Sequence, residues 1–426
     1  MIDTLSIFRS QGIDPNTICH TDVLEDGNYV VIWGQIKGTH QDCPFCHSNN
    51  TIIKEYKGRI IKGLKIGNKK AEIDLRVPRY RCKNCNKTFT HDTSKFASNK
   101  ITKSELDEII KNFGQMITFS DIGRIHELSV SEIVHIFDNH CPKLNAELGE
   151  AICIDEFKNS GVNDIAKYAC VLVNFETHKI IDILESRTLS YLREYFSKQP
   201  YSIRLTIKYL ITDMYDGYIT IAKEYLPNAT IAIDPFHFIR YLTDAVQSIR
   251  IRKFKDENFY AFDASRFKDN WRLLTVNLNE KKYQEKNVQL SSGETISIYD
   301  RVFRFVKQDT ELFYAVNLLQ DYYFMAEVTT FDTAASLIDF TINKLLESQI
   351  KELIDCGQTW KHYRDYIINS FIKYKGKRLS NGPIEGINSR IKTLKKIYCG
   401  YSNYKRFYKR VIYIINKEKI DIKKKK

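Results

Sequence analysis

Ala151-Ile152-Cys153-Ile154-Asp155 and Tyr209-Leu210-Ile211-Thr212-Asp213 are two short apolar, β-branched runs, each closed by an aspartate. Runs of this length and composition suit buried parallel strands. An aspartate at the carboxyl end of such a strand projects into the crevice where open α/β sheets do their chemistry. A third carboxylate, Glu385, sits just inside a helix start. Asn381 can cap that helix, Pro383 fits its first turn, and Ile384, Ile387, Ile391 and Leu394 follow at helical spacing. Three carboxylates meeting in one crevice repel unless cations lie between them, and hard divalent ions that prefer oxygen answer that need. The pattern points to two-metal phosphoryl transfer. With 52 acidic residues in the chain, an aspartate after an apolar run also reads as a turn or a helix cap. The surrounding order of elements has to decide.

Outward from these runs, the rhythm from residue 150 to about 234 is strands, then alternating helix and strand. Strands are expected at 151–154, 168–174 and 179–184, a helix at 189–196, a strand at 209–212, a helix at 218–225 and a strand at 229–233. This β-β-β-α-β-α-β order is that of an RNase H-like fold, with Asp155 on its first strand and Asp213 just after its fourth. Residues 236–375 interrupt the pattern with a mostly helical, aromatic insertion that has one strand-like excursion at Thr295-Ile296-Ser297-Ile298. The core then resumes at 376–420 with the helix that carries Glu385.

Upstream, Cys43-Pro44-Phe45-Cys46 and Cys82-Lys83-Asn84-Cys85 are two short-spaced cysteine pairs that can each present two thiolates to one side of a tetrahedral zinc ion. Strand-like stretches at 51–53, 59–61 and 71–77 lie between them, so residues 41–95 read as a zinc ribbon with one structural Zn²⁺. His47 and His91 could substitute as ligands, although four cysteines already complete the shell. The other cysteines (Cys19, Cys141, Cys153, Cys170, Cys356 and Cys399) are scattered and read as reduced core residues. Residues 1–40 form a preceding N-terminal segment. Within 100–145, amphipathic Ser104–Phe113 is followed by Ser120–His126, a break at Glu127-Leu128, and a helix capped by Ser129, a layout that resembles a helix-turn-helix. The whole is a multidomain α+β chain.

At 426 residues the length suggests about three domains. The net charge of +13 is unevenly spread: residues 51–103 hold 15 Lys/Arg against 4 Asp/Glu, and residues 375–426 hold 17 against 3. Two basic regions flanking an acidic middle suggest two polyanion-binding surfaces, although part of this lysine is ordinary solvated surface and Lys423 to Lys426 read as a frayed tail. No stretch approaches the roughly 20 apolar residues of a membrane helix. The start, Met1-Ile2-Asp3-Thr4, lacks a signal-peptide layout. The expected location is the cytoplasm, with no membrane partner.

The most specific stretch is Leu379-Ser380-Asn381-Gly382-Pro383-Ile384-Glu385-Gly386-Ile387-Asn388-Ser389-Arg390-Ile391-Lys392, continuing to Tyr398-Cys399-Gly400-Tyr401-Ser402-Asn403-Tyr404 and Phe407. It closely resembles the end of bacterial insertion-sequence transposases of the DDE type, in the insertion sequence L-three family. Ile154-Asp155-Glu156-Phe157, Thr212-Asp213-Met214-Tyr215 and Asp234-Pro235-Phe236-His237 match that family's core motifs, and the resemblance covers nearly the whole chain.

The resemblance implies a catalytic triad of Asp155, Asp213 and Glu385 that binds two Mg²⁺ (or Mn²⁺). It implies 3′-end cleavage and strand transfer on double-stranded DNA, namely terminal inverted repeats and target. It further implies a homodimer or higher oligomer on DNA, and nucleoid association in a bacterium. Lys392, seven residues after Glu385, matches a basic residue that meets DNA phosphate in many such enzymes. Asn388 and Arg390 on the same helix, with Arg79 and Arg81 before the second cysteine pair, complete the expected DNA contacts. The Tyr and Arg that precede the Glu in some related families are absent, with Arg378 and Asn381 at those offsets.

Other carboxylates compete with the triad. Glu156 follows Asp155 on a strand and should face the opposite side, which suits a structural role. Asp216 could bind metal if the strand ends later than expected. Asp234 and His237 are expected behind the ligands, supporting them. Two other functions fit parts of the pattern: a catalytically silent DNA-binding regulator derived from a transposase, and an RNase H-type nuclease acting on hybrids. The intact triad argues against the first, and the ribbon and helix-turn-helix, which suit duplex DNA, against the second.

Overall fold

The computed structural model describes residues 4–94, 97–98, 100–158, 167–255, 271–290, 292–398 and 403–424. The chain divides into two compact units, Met1–Lys143 with Ile397–Cys399, and Leu144–Lys396 with Gly400–Lys426.

The first unit opens with α1 (Thr4–Ser10) and is built on strands β1 (Ile18–Asp26), β2 (Tyr29–Ile36), β3 (Thr51–Ile66), β4 (Lys69–Cys82), β5 (Thr88–Thr90), β6 (Ala97–Ser98) and β7 (Ile101–Thr102). They form one sheet in the order β1-β2-β4-β3-β7-β6, with β5 paired to β4. The hairpins β1–β2 and β3–β4 turn through two residues each, with Gly27 and Gly67 at positive φ, the conformation such tight turns require. The two strand-like stretches expected at 51–53 and 59–61 are a single 16-residue strand. The sheet also runs through the boundary expected at residue 40, because β2 pairs in parallel with β4 from Tyr29↔Lys70 to Gln35↔Arg76. β1 and β2, before that boundary, are therefore part of the same sheet as the strands that flank the cysteine turns. Ile32, Ile61, Ile73 and Leu75 are fully buried in their shared core, which explains why these segments fold together.

Three helices follow: α2 (Lys103–Asn112), α3 (Phe119–His126) and α4 (Val130–His140). Thr118 with Asp121 and Ser129 with Glu132 form reciprocal capping boxes at the starts of α3 and α4. Glu127 closes α3 in the left-handed region, φ 52°. Phe113 packs edge to face against both Phe119 and Phe137, which lie tilted against each other, between the helices.

The second unit carries β8 (Ala151–Lys158), β9 (Tyr168–Asn174), β10 (Ile180–Leu184), α5 (Leu189–Ser197), α6 (Tyr201–Thr206), β11 (Tyr209–Thr212), α7 (Asp216–Tyr225) and β12 (Thr230–Ile233). The sheet order is β10-β9-β8-β11-β12. β8, β9 and β10 are antiparallel neighbours, while β8, β11 and β12 run parallel. Ile152, Ile154, Cys170 and Leu172 share a core with Leu192 and Phe196 of α5 and Tyr218 and Ala222 of α7. Alternation along β8 then turns Cys153 and Asp155 to the other face.

A helical stretch follows β12: α8 (Pro235–Lys255), α9 (Lys281–Glu285), the small hairpin β13 (Asn287–Gln289) and β14 (Thr295–Ser297), α10 (Ile298–Val306), α11 (Thr310–Val328), α12 (Phe331–Glu347), α13 (Lys351–His362) and α14 (Arg364–Asn369). Its core is continuous with that of the sheet. Trp360 is fully buried, with its ring edge-on to Phe238 at 5.1 Å and its indole N–H donating to the Phe238 carbonyl at 2.9 Å. After the short hairpin β15 (Lys373–Tyr374) and β16 (Lys377–Arg378) come α15 (Gly382–Ile397) and α16 (Tyr404–Lys424). The Asn416 side chain of α16 accepts from the Ile180 N–H and donates to the Ile180 and Leu144 carbonyls, satisfying the edge of β10. Among the described residues, no helix is long and apolar enough to cross a membrane.

Candidate active site and metal centre

In the second unit the sheet register lines up three aspartates. Ile211 of β11 pairs with Cys153 of β8, and Thr212 pairs with Ile233 of β12. Continued past the last pairs, the two registers set Asp213 opposite Asp155 on one side and Asp234 on the other, at the roughly 4.8 Å spacing of neighbouring strands. Asp213 follows β11 directly, as expected. Asp155 does not close its strand: β8 continues to Lys158, and Asp155 pairs with Val171 of β9. What ends near Asp155 is the ladder to β11, whose last pair is Ile211↔Cys153. The carboxylate therefore stands at the opening between the two strands even though its own strand goes on.

Helix α15 lies on the Asp155 face. Its apolar residues Ile384, Ile387, Ile391 and Leu394 are buried, each contributing roughly 1.5–3 kcal/mol. Asn388, one turn after Glu385, donates its side-chain amide to Asp155 Oδ2 at 3.0 Å. Asn381 occupies the position before the helix, but its side chain does not cap. Its amide donates to the Ile154 carbonyl at 3.3 Å, and its Oδ1 is buried without a protein partner. Its backbone N–H donates to Asp234 Oδ1 at 2.7 Å. Two asparagines and one aspartate thus tie the start of α15 to β8 and to the end of β12.

The electrostatics are those of a crowded, dry site. Burial, with the nearby Asp213, Glu156 and Asp234 charges, pushes Asp155 up to about 7 against a weaker lowering bond from the Glu156 N–H. Burial and the Glu156 charge push Asp213 up to about 7 as well. Burial also raises Asp234, which is 3% exposed and whose Oδ2 has no protein partner. Burial disfavours the charged form of each of the three carboxyls, and for Asp155 and Asp213 neighbouring carboxylate charge adds to it.

Glu385 is exposed on the first turn of α15, and its charge opposes the lowering of His237, whose imidazole is depressed chiefly by burial. Among the described residues, Asp155, Asp213 and Glu385 do not form a group with ligand atoms within 4.8 Å of one another. The donor set nevertheless fits hard divalent cations: carboxylates of Asp155 and Asp213 at adjacent strands, the orphaned Asp234 Oδ2 and Asn388 Oδ1, and no thiol or imidazole in the aspartate row.

The remaining candidates fall in different places. Asp216 is exposed at the start of α7, 3.4 Å from His362 Nε2. Glu156 is ion-paired with Arg187. Lys392 is exposed on α15, whereas Asn388, also expected at the DNA, is half-buried and bonded to Asp155. Arg378 stacks on Phe371 at 3.7 Å and donates to the Ser370 carbonyl at 2.9 Å. The stretch 399–402 and Cys399 lie outside the described residues. Reading the sequence alone missed Arg187, which lies in the loop after β10 with no periodicity to mark it. It also missed the Asn388–Asp155 bond, although Asn388 stands one helical turn from Glu385.

In the first unit the four cysteines do converge. Among the described residues they are the only group of three or more His, Cys, Asp or Glu whose ligand atoms all lie within 4.8 Å. Cys43 and Cys85 Sγ are 3.6 Å apart, as are Cys46 and Cys82 Sγ. A Zn–S bond of about 2.3 Å implies a tetrahedral edge of about 3.8 Å, so the four thiols fit a structural zinc. The N–H groups of Cys85 and Asn84, with the neighbouring thiols, bring Cys82 down to about 7. His47 and His91 stand outside the group. Arg79 is engaged with Glu55 at 3.0 Å and with Thr88 Oγ1 at 3.0 Å, while Arg81 is exposed and donates to Asn86.

Compared with known protein families, residues 152–411 match a transposase family, that of the DDE transposases of the ISL3 type. The chain belongs to this family. Residues 40–85 match the zinc-finger of transposase IS204/IS1001/IS1096/IS1165, the segment that carries the four converging thiols. No curated protein sequence matches this transposase. The two family matches imply DNA as its partner.

Proposed function

We propose that this transposase binds the terminal inverted repeats of an insertion sequence and catalyses metal-dependent 3′-end cleavage and strand transfer, with Asp155, Asp213 and Glu385 as its catalytic carboxylates. The observation that carries this reading is the alignment of Asp155 with Asp213 across β8 and β11, under a helix whose Asn388 holds Asp155 and whose first turn presents Glu385. The β8–β12 order, three antiparallel strands followed by two parallel ones with intervening helices, supports an RNase H-like core. Two Mg²⁺ or Mn²⁺ held among these carboxylates would supply Lewis acidity to the attacking and leaving oxygens of an in-line displacement at phosphorus. Asn388 fixes one oxygen of Asp155, and the burial of Asp155 and Asp234 leaves charge there little screened. Asp234 supports the site from behind by holding the Asn381 N–H at the helix start. His237 lies beside it, at the start of α8.

In the same reading, the exposed Lys392 meets DNA phosphate, with Arg390 on the same helix. The capped helices α3 and α4 form a helix-turn-helix that reads the repeat ends together with Arg81 of the zinc ribbon. Arg79 serves the ribbon's own structure. Pairing two transposon ends calls for a second copy of the chain. The setting is the bacterial cytoplasm, at the nucleoid.

The test is incubation of the protein with labelled duplex carrying the ends of its own element, with and without Mg²⁺. Nicks at the 3′ ends and joined products are expected only with the metal. Binding without cleavage across Mg²⁺ and Mn²⁺ would favour the silent regulator instead.

A further inference from the structure

Arg187 lies in the short loop between β10 and α5. Its guanidinium pairs with Glu156, the residue after Asp155. The same group lies over the ring of Tyr168, 4.4 Å from its centroid, and over that of Tyr215, at 4.7 Å. Tyr168 opens β9 and Tyr215 stands two residues after Asp213, so one cation touches β8, β9 and the turn that leaves β11. The loop is fixed on both sides of Arg187. The buried Ser186 accepts a bond from Cys170 Sγ through its carbonyl, and its hydroxyl accepts from the Thr188 N–H at 3.1 Å.

A second observation comes from Gly217. A Cβ there would fall 2.3 Å from Tyr215 Cε1. The Tyr215 ring therefore folds back over its own helix start, and only glycine leaves room for it where it stands. The ring is held there edge-to-face with Tyr218 at 5.1 Å and by the stacked guanidinium, whose plane suits aromatic faces in a way an ammonium does not.

We propose that Arg187, stacked on Tyr168 and Tyr215 and paired with Glu156, is a positioning residue that sets the spacing between Asp155 and Asp213. The proposal rests on the carboxylate reading above. Its reach is short: Glu156 is covalently next to Asp155, Tyr215 is two residues from Asp213, and Arg187 bridges them from the loop outside the sheet. A site that must hold two cations at a fixed separation gains from such a brace, because the strand ladder between β8 and β11 has already ended there.

The experiment uses full-length protein without DNA, titrated with Mn²⁺ in a calorimeter. Asp155→Asn identifies which binding belongs to the carboxylates. Arg187→Ala and Gly217→Ala are each expected to weaken that binding about tenfold, the usual cost of removing a supporting contact. Charge alone predicts the reverse for Arg187→Ala, since losing a cation makes the site more negative and more attractive to Mn²⁺. Arg187→Lys should behave like Arg187→Ala, because it keeps charge but not the stack.

In parallel, amide exchange of the metal-free variants should rise across 213–217 and stay unchanged across 230–233. Wild-type or tighter Mn²⁺ binding by both variants overturns the proposal. So does unchanged exchange across 213–217, or exchange raised throughout the sheet. If wild type and Asp155→Asn bind Mn²⁺ alike, the metal reading fails on its own, and the exchange data still decide whether Arg187 braces the turn.

Discussion

The four thiols of the first unit already stand near the corners of a metal site, 3.6 Å apart in two pairs, while the carboxylates of the second line up without closing on one point. The difference follows from charge and from backbone. Thiols that share their protons can approach one another with no metal between them, and each Cys-x-x-Cys turn fixes two of them within one tight loop. Carboxylates repel, and here they come from three separate elements, β8, the end of β11 and α15. Two of them, Asp155 and Asp213, are pushed up to about 7, chiefly by burial and further by nearby carboxylate charge. One centre is made by two tight loops brought together, while the other, among the described residues, draws on three elements that do not bring their carboxylates to one point.

Removing metal should therefore hurt the two units differently. Chelation of zinc, or Cys82→Ser, is expected to unfold the cysteine-bearing part of the first unit, because small strands with a modest core depend on the ion. Metal analysis should find about one zinc per chain, tied to these four cysteines. The fragment to test is residues 1–143 rather than the ribbon alone, since β2 and β4 share a sheet. A zinc-free fragment with protected strands would abolish the contrast between the two centres.

In the second unit, Asp155→Asn, Asp213→Asn and Glu385→Gln should leave the fold intact. Each is expected to lower end cleavage about a thousandfold or more, with end binding retained in a gel-shift assay. Wild-type cutting by any one of them removes that residue from the triad. Should Asp234→Asn abolish cutting while Asp213→Asn does not, the second ligand is Asp234.

The raised carboxyls make a pH prediction. A carboxyl whose folded pKa, about 7, exceeds its ordinary value of 3.8 binds more protons folded than unfolded between those limits. Metal-free stability should then fall as pH rises through that window, by on the order of a few kcal/mol. Mn²⁺ should restore it at pH 8 and do little at pH 5. Thermal unfolding of wild type and of the Asp155→Asn/Asp213→Asn variant checks this, the variant being expected to show a flatter profile. A wild-type profile as flat as the variant's would mean that burial does not hold the aspartates above their ordinary range.

The smallest effect is expected at Lys392. Lys392→Ala should lower cleavage modestly on every DNA sequence and reduce the salt dependence of binding by about one ion, without relaxing end preference. A variant with wild-type rates at moderate salt would return Lys392 to the solvated surface.

Much of this was legible in the chain. The Cys-x-x-Cys pairs, the strand order after residue 150 and the apolar stripe of α15 are local patterns with periods of their own, and the structure has all three. Asp155 was misread as a strand end because the apolar run stops at Ile154. The chain nevertheless stays extended to Lys158, paired with β9, and strand length here is decided by the partner. Asn381 looked like a cap because of its type and place, yet its amide is drawn to the Ile154 carbonyl across the fold.

By itself the sequence determined which residues could carry chemistry and on which elements they ride, because strand alternation, helix periodicity and metal-ligand spacing act over a few neighbours. Only the tertiary structure decided which of them meet. The register that brings Ile211 beside Cys153 at the end of the β8–β11 ladder, the hydrogen bond that ties Asn388 to Asp155 across 233 positions, and the contacts of Arg187 with Tyr168 and Tyr215 all join distant segments. Such contacts follow from how the sheet and helices pack, and packing is a property of the whole chain that no local pattern records.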